Sequence, residues 1–195
     1  MTLLKKFSAS LFLLLFAAGC AQQSQDQSME QTQESTNTYT KAVAVVHATE
    51  GNDVSGTVTF ENTEDGVRVK GQLQGLSSGK HGFHIHQYGD CSASDGTSAG
   101  GHYNPTGNNH GSPTQDNRHM GDMGNLTVSE DGMATIDYVD PKITLSGSNS
   151  IIGHGVIVHG GEDDFKSQPS GAAGPRVGCG VIGIANTEME SGSEM

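Results

Sequence analysis

The sequence has no tryptophan, and its 195 residues include only six phenylalanines, four tyrosines and three cysteines. After the first twenty residues it also lacks long runs of the helix formers alanine, leucine, glutamate and lysine. These absences argue against a helical bundle. Glycine is frequent, with 28 residues, which favours short strands joined by turns and long loops. The length suits one domain with a real core and is too short for two once the ends are discounted.

Basic residues are also scarce, because ten lysines and arginines accompany 22 aspartates and glutamates and the formal net charge is -12. Such an acidic surface repels the backbones of nucleic acids and the headgroups of acidic membranes. We therefore expect no nucleic-acid partner, and membrane contact only through a covalent anchor. The simpler interpretation of the charge is that acidity keeps an exported domain soluble.

Residues 1–19 have the features of a secretory signal peptide, with two lysines, an apolar run and then small residues. The apolar run is too short to span a bilayer as a permanent helix. Cys20 follows Ala-Ala-Gly, which resembles the processing site of bacterial lipoproteins, although Ala17 stands where leucine is more usual. We expect Cys20 to be lipidated and to begin the mature chain. Ordinary secretion without a lipid is the alternative.

The two ends of the mature chain are too polar to fold. Residues 20–40 contain mostly glutamine, serine, threonine, asparagine and glutamate, so they predict a disordered polar tether. Residues 187–195 predict a disordered acidic tail. Together with the signal peptide, these features predict an exported protein at the cell surface or in the periplasm, anchored to the membrane by a lipid on Cys20.

Between these ends, short β-rich runs predict eight strands, at residues 41–48, 54–61, 67–73, 81–88, 126–128, 134–138, 155–159 and 180–185. Asp65-Gly66 and Asp131-Gly132 are strong hairpin signals. Eight short strands favour an all-β antiparallel sandwich or flattened barrel over a parallel α/β sheet.

Two connections, residues 89–121 and 160–178, are long for a compact domain. Loops of this length are usually functional, and they need something other than a core to hold them. A metal site and a disulfide are the obvious means.

The histidines are concentrated near the first of these connections, since six of the nine lie between His81 and Asp122. His84 and His86 flank Ile85 on a predicted strand, so both imidazoles project from the same face. We expect Phe83 and Ile85 to face the core instead. The pair alone is weak evidence for metal binding.

A reasonable tetrahedral set for zinc follows the pair and consists of three imidazoles and a carboxylate, from His102, His110, His119 and Asp122. His159 adds an imidazole at the end of another predicted strand, and thiolate-free, imidazole-rich surroundings also suit copper. The residues thus predict one or two transition-metal sites. A metal buffer of low specificity is the alternative. His47, His81 and His154 lie outside the pattern, and we assign them no metal.

Several segments occur in a characteristic order, namely His81-Gly-Phe-His-Ile-His86, Ala99-Gly-Gly-His-Tyr-Asn-Pro105, His110-Gly-Ser-Pro113, Arg118-His-Met-Gly-Asp-Met-Gly-Asn125 and Gly174-Pro-Arg-Val-Gly-Cys-Gly-Val-Ile-Gly-Ile-Ala185. Over about residues 41–186 they resemble the copper/zinc superoxide dismutase family. The resemblance implies an eight-stranded antiparallel Greek-key barrel or sandwich with two long functional loops. It also implies an enzyme that converts superoxide to dioxygen and hydrogen peroxide.

The resemblance further implies one copper and one zinc per chain. Copper would be held by His84, His86, His102 and His159. Zinc would be held by His102, His110, His119 and Asp122, with His102 as a bridging imidazole between the metals. Asp163 matches a carboxylate that hydrogen-bonds a copper histidine and a zinc histidine, here His84 and His110.

Arg176 and His102 would be the catalytic residues. Arg176 matches the family's guanidinium beside the copper channel, where it attracts a small anion to an acidic protein. His102 would couple electron and proton transfer. The resemblance also implies a disulfide between Cys91 and Cys179, which would tie the metal loop to the last strand. The loop of residues 162–175 is shorter than in eukaryotic members.

These observations leave two other functions open. A relative that kept the fold and the zinc site could capture metal without catalysis, but the loss of a copper histidine or of Arg176 that would favour it is not seen. A surface adhesion sandwich with incidental metals does not explain two ligand sets that share His102. We therefore expect a dismutase that protects the cell envelope from extracellular superoxide. The sequence leaves open whether it forms a homodimer.

Overall fold

Eight antiparallel strands close into a barrel in the computed structural model, which describes residues 38–187. The strands are β1 (Lys41–Ala48), β2 (Ser55–Thr63), β3 (Gly66–Gln74), β4 (Gly79–His86), β5 (Asp122–Val128), β6 (Ala134–Asp140), β7 (Gly155–His159) and β8 (Arg176–Ile184). The predicted all-β antiparallel fold is confirmed. The predicted signal peptide and the lipidation at Cys20 fall outside the described residues, as do most of the tether and all but the first residue of the acidic tail.

The strand order around the barrel is β1-β2-β3-β6-β5-β4-β7-β8, and it closes through pairing of β8 with β1. Two connections therefore cross an end of the barrel, one from β3 to β4 and one from β6 to β7, which is the Greek-key pattern. The first long loop joins β4 to β5 and contains a single 3₁₀ turn at Thr97–Ala99. Within residues 38–187, no helix is long and apolar enough to cross a bilayer.

The barrel interior is filled by alternate residues of each strand. On β1, Ala42, Ala44 and Val46 are at most 1% exposed, whereas Val45 between them is 50% exposed. Because side chains alternate along a strand, one face of each strand points toward the core and the other points away from it. Full burial of each larger aliphatic side chain contributes about 1.5–3 kcal/mol. The core therefore fixes the strands from which the metal-binding residues project.

Only β1 and β7 have the predicted bounds, and the shifts that change the long loops are in β4, β5 and β8. β4 begins at Gly79 and ends at His86, because the next two main-chain N–H groups donate to carbonyls of the first long loop instead of to a strand. β5 begins at Asp122, four residues earlier than predicted. β8 begins at Arg176, where it pairs with His159 after a bulge, so the second long loop spans only residues 160–175.

Both predicted hairpins are present, between β2 and β3 and between β5 and β6. The turn of the first is centred on Glu64-Asp65, one residue before the predicted pair, and Gly66 already belongs to β3. These differences shift the loops slightly and leave the architecture as predicted.

Candidate metal centre

Strand β4 is buried on both faces near its end, and this places two histidines under the long loops. Phe83 and Ile85 pack in the barrel core, as predicted. His84 and His86 point the other way and are also buried, at 0% and 1% exposure. His159 lies at the end of the neighbouring strand β7. Three imidazoles therefore project from adjacent strands into one layer outside the barrel.

The first long loop adds a fourth imidazole to this layer. His102 forms an isolated bridge with His86, and the Tyr103 N–H donates to the Ile85 carbonyl at 2.8 Å. The Ile85 N–H donates in turn to the Gly121 carbonyl at 2.9 Å. The loop comes this close at Gly121, since a Cβ there would lie 2.1 Å from the Ile85 carbonyl oxygen. The four imidazoles have nitrogens that all lie within 4.8 Å of one another, and we call them the strand cluster: His84, His86, His102 and His159.

Hydrogen bonds orient the rings of the strand cluster. His86 donates from Nδ1 to the Gly100 carbonyl at 2.9 Å, and His159 donates from Nδ1 to the Gly174 carbonyl at 3.2 Å. Their Nε2 atoms consequently face each other with lone pairs at 3.4 Å. Two lone pairs so placed repel each other, and a cation between them would remove the repulsion.

A second cluster surrounds one carboxylate oxygen. Asp122 Oδ1 lies 2.8 Å from His102 Nδ1, 2.9 Å from His110 Nδ1 and 3.2 Å from His119 Nδ1. Asp122 Oδ2 accepts main-chain hydrogen bonds at 3.0 Å from Gly111 and His119. We call this set the loop cluster: His102, His110, His119 and Asp122. His102 belongs to both clusters.

Asp163 links the two clusters. One carboxylate oxygen lies 2.8 Å from His84 Nε2, and the other lies 2.9 Å from His110 Nε2. The main chain of Asp163 is held in turn by the side-chain amide of Asn125, which donates to its carbonyl at 2.9 Å and accepts from its N–H at 2.8 Å. Such outer partners fix ring orientation and tautomer in metal sites.

Burial keeps three histidines of the strand cluster neutral, namely His84, His86 and His159. It lowers the pKa of His84 to about 4 and that of His159 to about 3, because an imidazolium would lose its hydration there. Burial also lowers the pKa of His86. At neutral pH these rings therefore have a free lone pair, which is the form that binds a metal.

Carboxylates give the loop cluster a different charge state. Burial alone would lower the pKa of His110, but hydrogen bonds and charge from Asp122 and Asp163 outweigh it and raise the pKa to about 9. Burial would raise the pKa of both aspartates, but hydrogen bonds from histidines keep it below the ordinary range. His110 is therefore arranged to hold positive charge, and a bound metal would replace its proton.

Buried side-chain atoms without hydrogen-bond partners indicate whether these residues could hold metals. Within residues 38–187, four buried side-chain atoms have no hydrogen-bond partner, and three are imidazole nitrogens of these clusters: His84 Nδ1, His102 Nε2 and His119 Nδ1. Unpaired buried polar atoms are costly in folded proteins. Imidazole nitrogens suit copper and zinc, and three imidazoles with a carboxylate suit tetrahedral zinc. The donors fit both metals.

A cleft of about 460 Å³ exposes this region to solvent, and its lining includes His86, His102, His159 and Arg176. Arg176 donates from Nη1 to the Gly96 carbonyl at 2.6 Å and from Nη2 to the Gly100 carbonyl at 2.5 Å. These two bonds hold the guanidinium at the cleft wall. Arg176 thus stands beside the strand cluster, at the start of β8 and not in a loop.

The predicted disulfide is present. Cys91 and Cys179 are bonded across 88 residues of sequence, and they connect the first long loop to β8. The loop that carries the carbonyl partners of Arg176 is therefore tied covalently to the strand that carries Arg176. In the chain-entropy model, closing a loop of this length stabilises a fold by slightly less than the figure of about 4.7 kcal/mol for a 100-residue loop.

Arg118 anchors the far end of the same loop, although the sequence suggested no role for it. Its side chain is 1% exposed. It donates to the carbonyls of Pro113, His119 and Met120 at 3.0–3.1 Å and to Asp140 Oδ2 at 2.6 Å. A basic residue in a polar loop gives no sign in sequence that it will be buried.

The other histidines make structural contacts. His81 is buried with Nδ1 2.8 Å from the His159 carbonyl oxygen, so it supports the main chain of the strand cluster. His154 stacks on Tyr103 at 3.9 Å between ring centroids. His47 is exposed on β1.

Three comparisons with known proteins agree with this geometry. The family described as copper/zinc superoxide dismutase matches residues 54–182. An extracellular copper/zinc superoxide dismutase of Brugia pahangi is 42% identical over 153 residues, which are 74% of this chain and 76% of that protein. The crystal structure of the clock protein EA4 is similar with a TM-score of 0.70 and 44% identity, over 76% of this chain and 96% of that chain. The barrel, the two imidazole clusters and these matches together place the chain in the copper/zinc superoxide dismutase family.

Proposed function

We propose that this chain is an exported superoxide dismutase in which the strand cluster holds copper and the loop cluster holds zinc. The observation that carries the assignment is the position of His102. Its Nδ1 belongs to the loop cluster, and its partnerless Nε2 faces the strand cluster. One imidazole is thus placed to bind a metal on each side.

The strand cluster suits copper because it contains imidazole nitrogens and no carboxylate. The loop cluster suits zinc because three imidazoles and one carboxylate form a closed tetrahedral set. Bound copper supplies a one-electron redox change, whereas zinc has no accessible redox change and contributes charge and geometry.

In the overall reaction, one superoxide is oxidised to dioxygen and another is reduced, with two protons, to hydrogen peroxide. The chain must therefore attract an anion and deliver protons. Arg176 is the cation in the cleft wall, and its two carbonyl partners keep the guanidinium in place. His102 Nε2 is the atom that would hold and release a proton next to the strand cluster.

Metal content and activity test the assignment together. We expect purified protein loaded with both metals to contain one copper and one zinc per chain and to dismute superoxide. His159→Ala should lose copper and activity, because it removes one nitrogen of the strand cluster. His47→Ala is the matched control, since that histidine is exposed and outside both clusters, and it should keep both. Zinc binding without activity after copper loading would instead support a metal-binding module.

The envelope role rests on the sequence before the barrel. A signal peptide in residues 1–19 and lipidation of Cys20 would place the enzyme outside the cell and protect the envelope from external superoxide. The extracellular relative supports export. Mass spectrometry of the mature N-terminus should find diacylated Cys20, and Cys20→Ser should move the enzyme from the membrane fraction to the soluble fraction. An unmodified N-terminus in a secreted protein would contradict the anchor.

A further inference from the structure

We propose that Gln168 is a positioning residue for the metal of the loop cluster, and that it acts by holding the main chain of His110. Its Oε1 accepts from the His110 N–H at 2.9 Å, and its Nε2 donates to the His110 carbonyl at 2.9 Å. One side-chain amide thus fixes both hydrogen-bonding groups of a residue 58 positions away in sequence. This inference rests on the proposed zinc site, and it identifies a residue that fixes the position of one of its ligands.

His110 needs such support because no strand carries it. It lies in the irregular part of the first long loop, between the 3₁₀ turn and β5. Among the described residues, its main-chain N–H and carbonyl have no hydrogen-bond partner other than Gln168. The main chain of His84 is, in contrast, paired with two neighbouring strands.

The ring of His110 also has little freedom once its main chain is fixed. Nδ1 lies 2.9 Å from Asp122, and Nε2 lies 2.9 Å from Asp163. Both ring nitrogens are therefore committed to carboxylates on opposite sides. If the main chain moves, the ring cannot satisfy both contacts, and the nitrogen offered to the metal is displaced.

The loop that carries Gln168 has independent supports that should survive its substitution. Asp164 caps the turn before it, accepting from the N–H groups of Lys166 and Ser167 at 2.8 Å each. Asn125 holds the main chain of Asp163. Removal of the Gln168 amide should therefore loosen His110 without unfolding the loop.

Gln168→Met tests the proposal, because methionine keeps the length of the side chain and lacks the amide. Gln74→Met is the matched control, since Gln74 is exposed on β3 and its amide contacts only Ser55 among the described residues. Cobalt(II) serves as a spectroscopic probe of the loop cluster, and copper(II) is titrated separately into the strand cluster. Both titrations use metal-stripped full-length protein, so they need no catalytic activity.

We expect Gln168→Met to weaken cobalt binding at the loop cluster by about 10–100-fold, as removal of outer partners does in other metal sites. Its cobalt d–d bands should shift, while copper affinity stays within about twofold of wild type. Gln74→Met should change neither affinity. Unchanged cobalt affinity and spectrum in Gln168→Met would overturn the proposal, and so would equal weakening at both clusters. A wild-type protein that binds no cobalt would contradict the zinc site itself.

Discussion

The strand cluster and the loop cluster share His102, but the protein builds them differently. Three residues of the strand cluster lie on paired strands, and main-chain carbonyls orient the rings of two of them. The loop cluster lies mostly in a segment without strands, and carboxylates orient its rings. The barrel strands therefore form one site directly, whereas the other site depends on contacts between distant parts of the chain.

Three such contacts can be identified. Arg118 joins the loop to β6, Asp163 joins the two clusters, and the disulfide joins the loop to β8. Loss of one of these contacts should weaken metal binding at the loop cluster more than at the strand cluster. The difference predicts that, in this protein, the strand cluster is the more robust metal site and the loop cluster the more sensitive one.

Loss of Arg118 should have the largest effect. Arg118→Leu leaves Asp140 buried without its cationic partner, so we expect the free energy of unfolding to fall by about 3–5 kcal/mol. Urea denaturation followed by circular dichroism measures this change. Arg68→Leu is the matched control, because the Arg68–Asp137 pair is exposed and water already screens it. Equal destabilisation by the two substitutions would mean that the buried pair does not anchor the loop.

Loss of Asp163 compares the two clusters directly. Asp163→Ala should weaken zinc binding by about 10–100-fold, because His110 loses the carboxylate that orients it. Copper binding should weaken less, since strand pairing still holds His84. Isothermal titration calorimetry with each metal on stripped protein distinguishes the two effects. A larger loss for copper than for zinc would reverse the comparison.

Gly171 tests how closely the second long loop must approach the clusters. Its φ is +65°, and a Cβ there would lie 1.8 Å from Asp163 Oδ1. Gly107 has a similar φ of +69° and no atom within 4 Å of a Cβ. Gly171→Ala should therefore cost about 1–3 kcal/mol more than Gly107→Ala, because only it overpacks the site. Equal thermal shifts for the two variants would show that backbone conformation alone sets the cost.

The pH dependence of the metal-free protein should also separate the clusters. The folded pKa values of His84 and His159 lie below the unfolded value of 6.5, so stability should fall as the pH drops below about 6.5. The pKa of His110 is raised to about 9, so its contribution is complete below 6.5 and is lost as the pH rises through 9. We expect maximum stability near pH 6.5. Imidazole resonances in NMR should show His110 protonated at pH 8 and His84 neutral at pH 6, and the opposite order would refute these environments.

Local patterns were sufficient to predict the barrel and part of the site. Alternation along β4 placed Phe83 and Ile85 in the core, and the same alternation placed His84 and His86 side by side. The Asp-Gly pairs identified two hairpins. Resemblance to a known family added the residues that lie far apart in sequence, because spacing alone does not reveal which loops meet.

The remaining features depend on contacts between distant loops, for which the chain has no local signal. Gln168 is one polar residue among many in its loop, and only the position of His110 gives it a role. Burial of Arg118 depends on Asp140, which is 22 residues away. β4 ends at His86 because the first long loop offers carbonyls to the next two residues. Tertiary partners decide all three.

Anomalous diffraction at the copper and zinc absorption edges tests the two-cluster assignment most directly. Crystals of protein loaded with both metals should show copper among His84, His86, His102 and His159, and zinc among His102, His110, His119 and Asp122. Zinc should lie about 2.0–2.1 Å from one ring nitrogen of His102, and copper should be bound by the other. Zinc in the strand cluster, or a metal that His102 does not bind, would contradict the account.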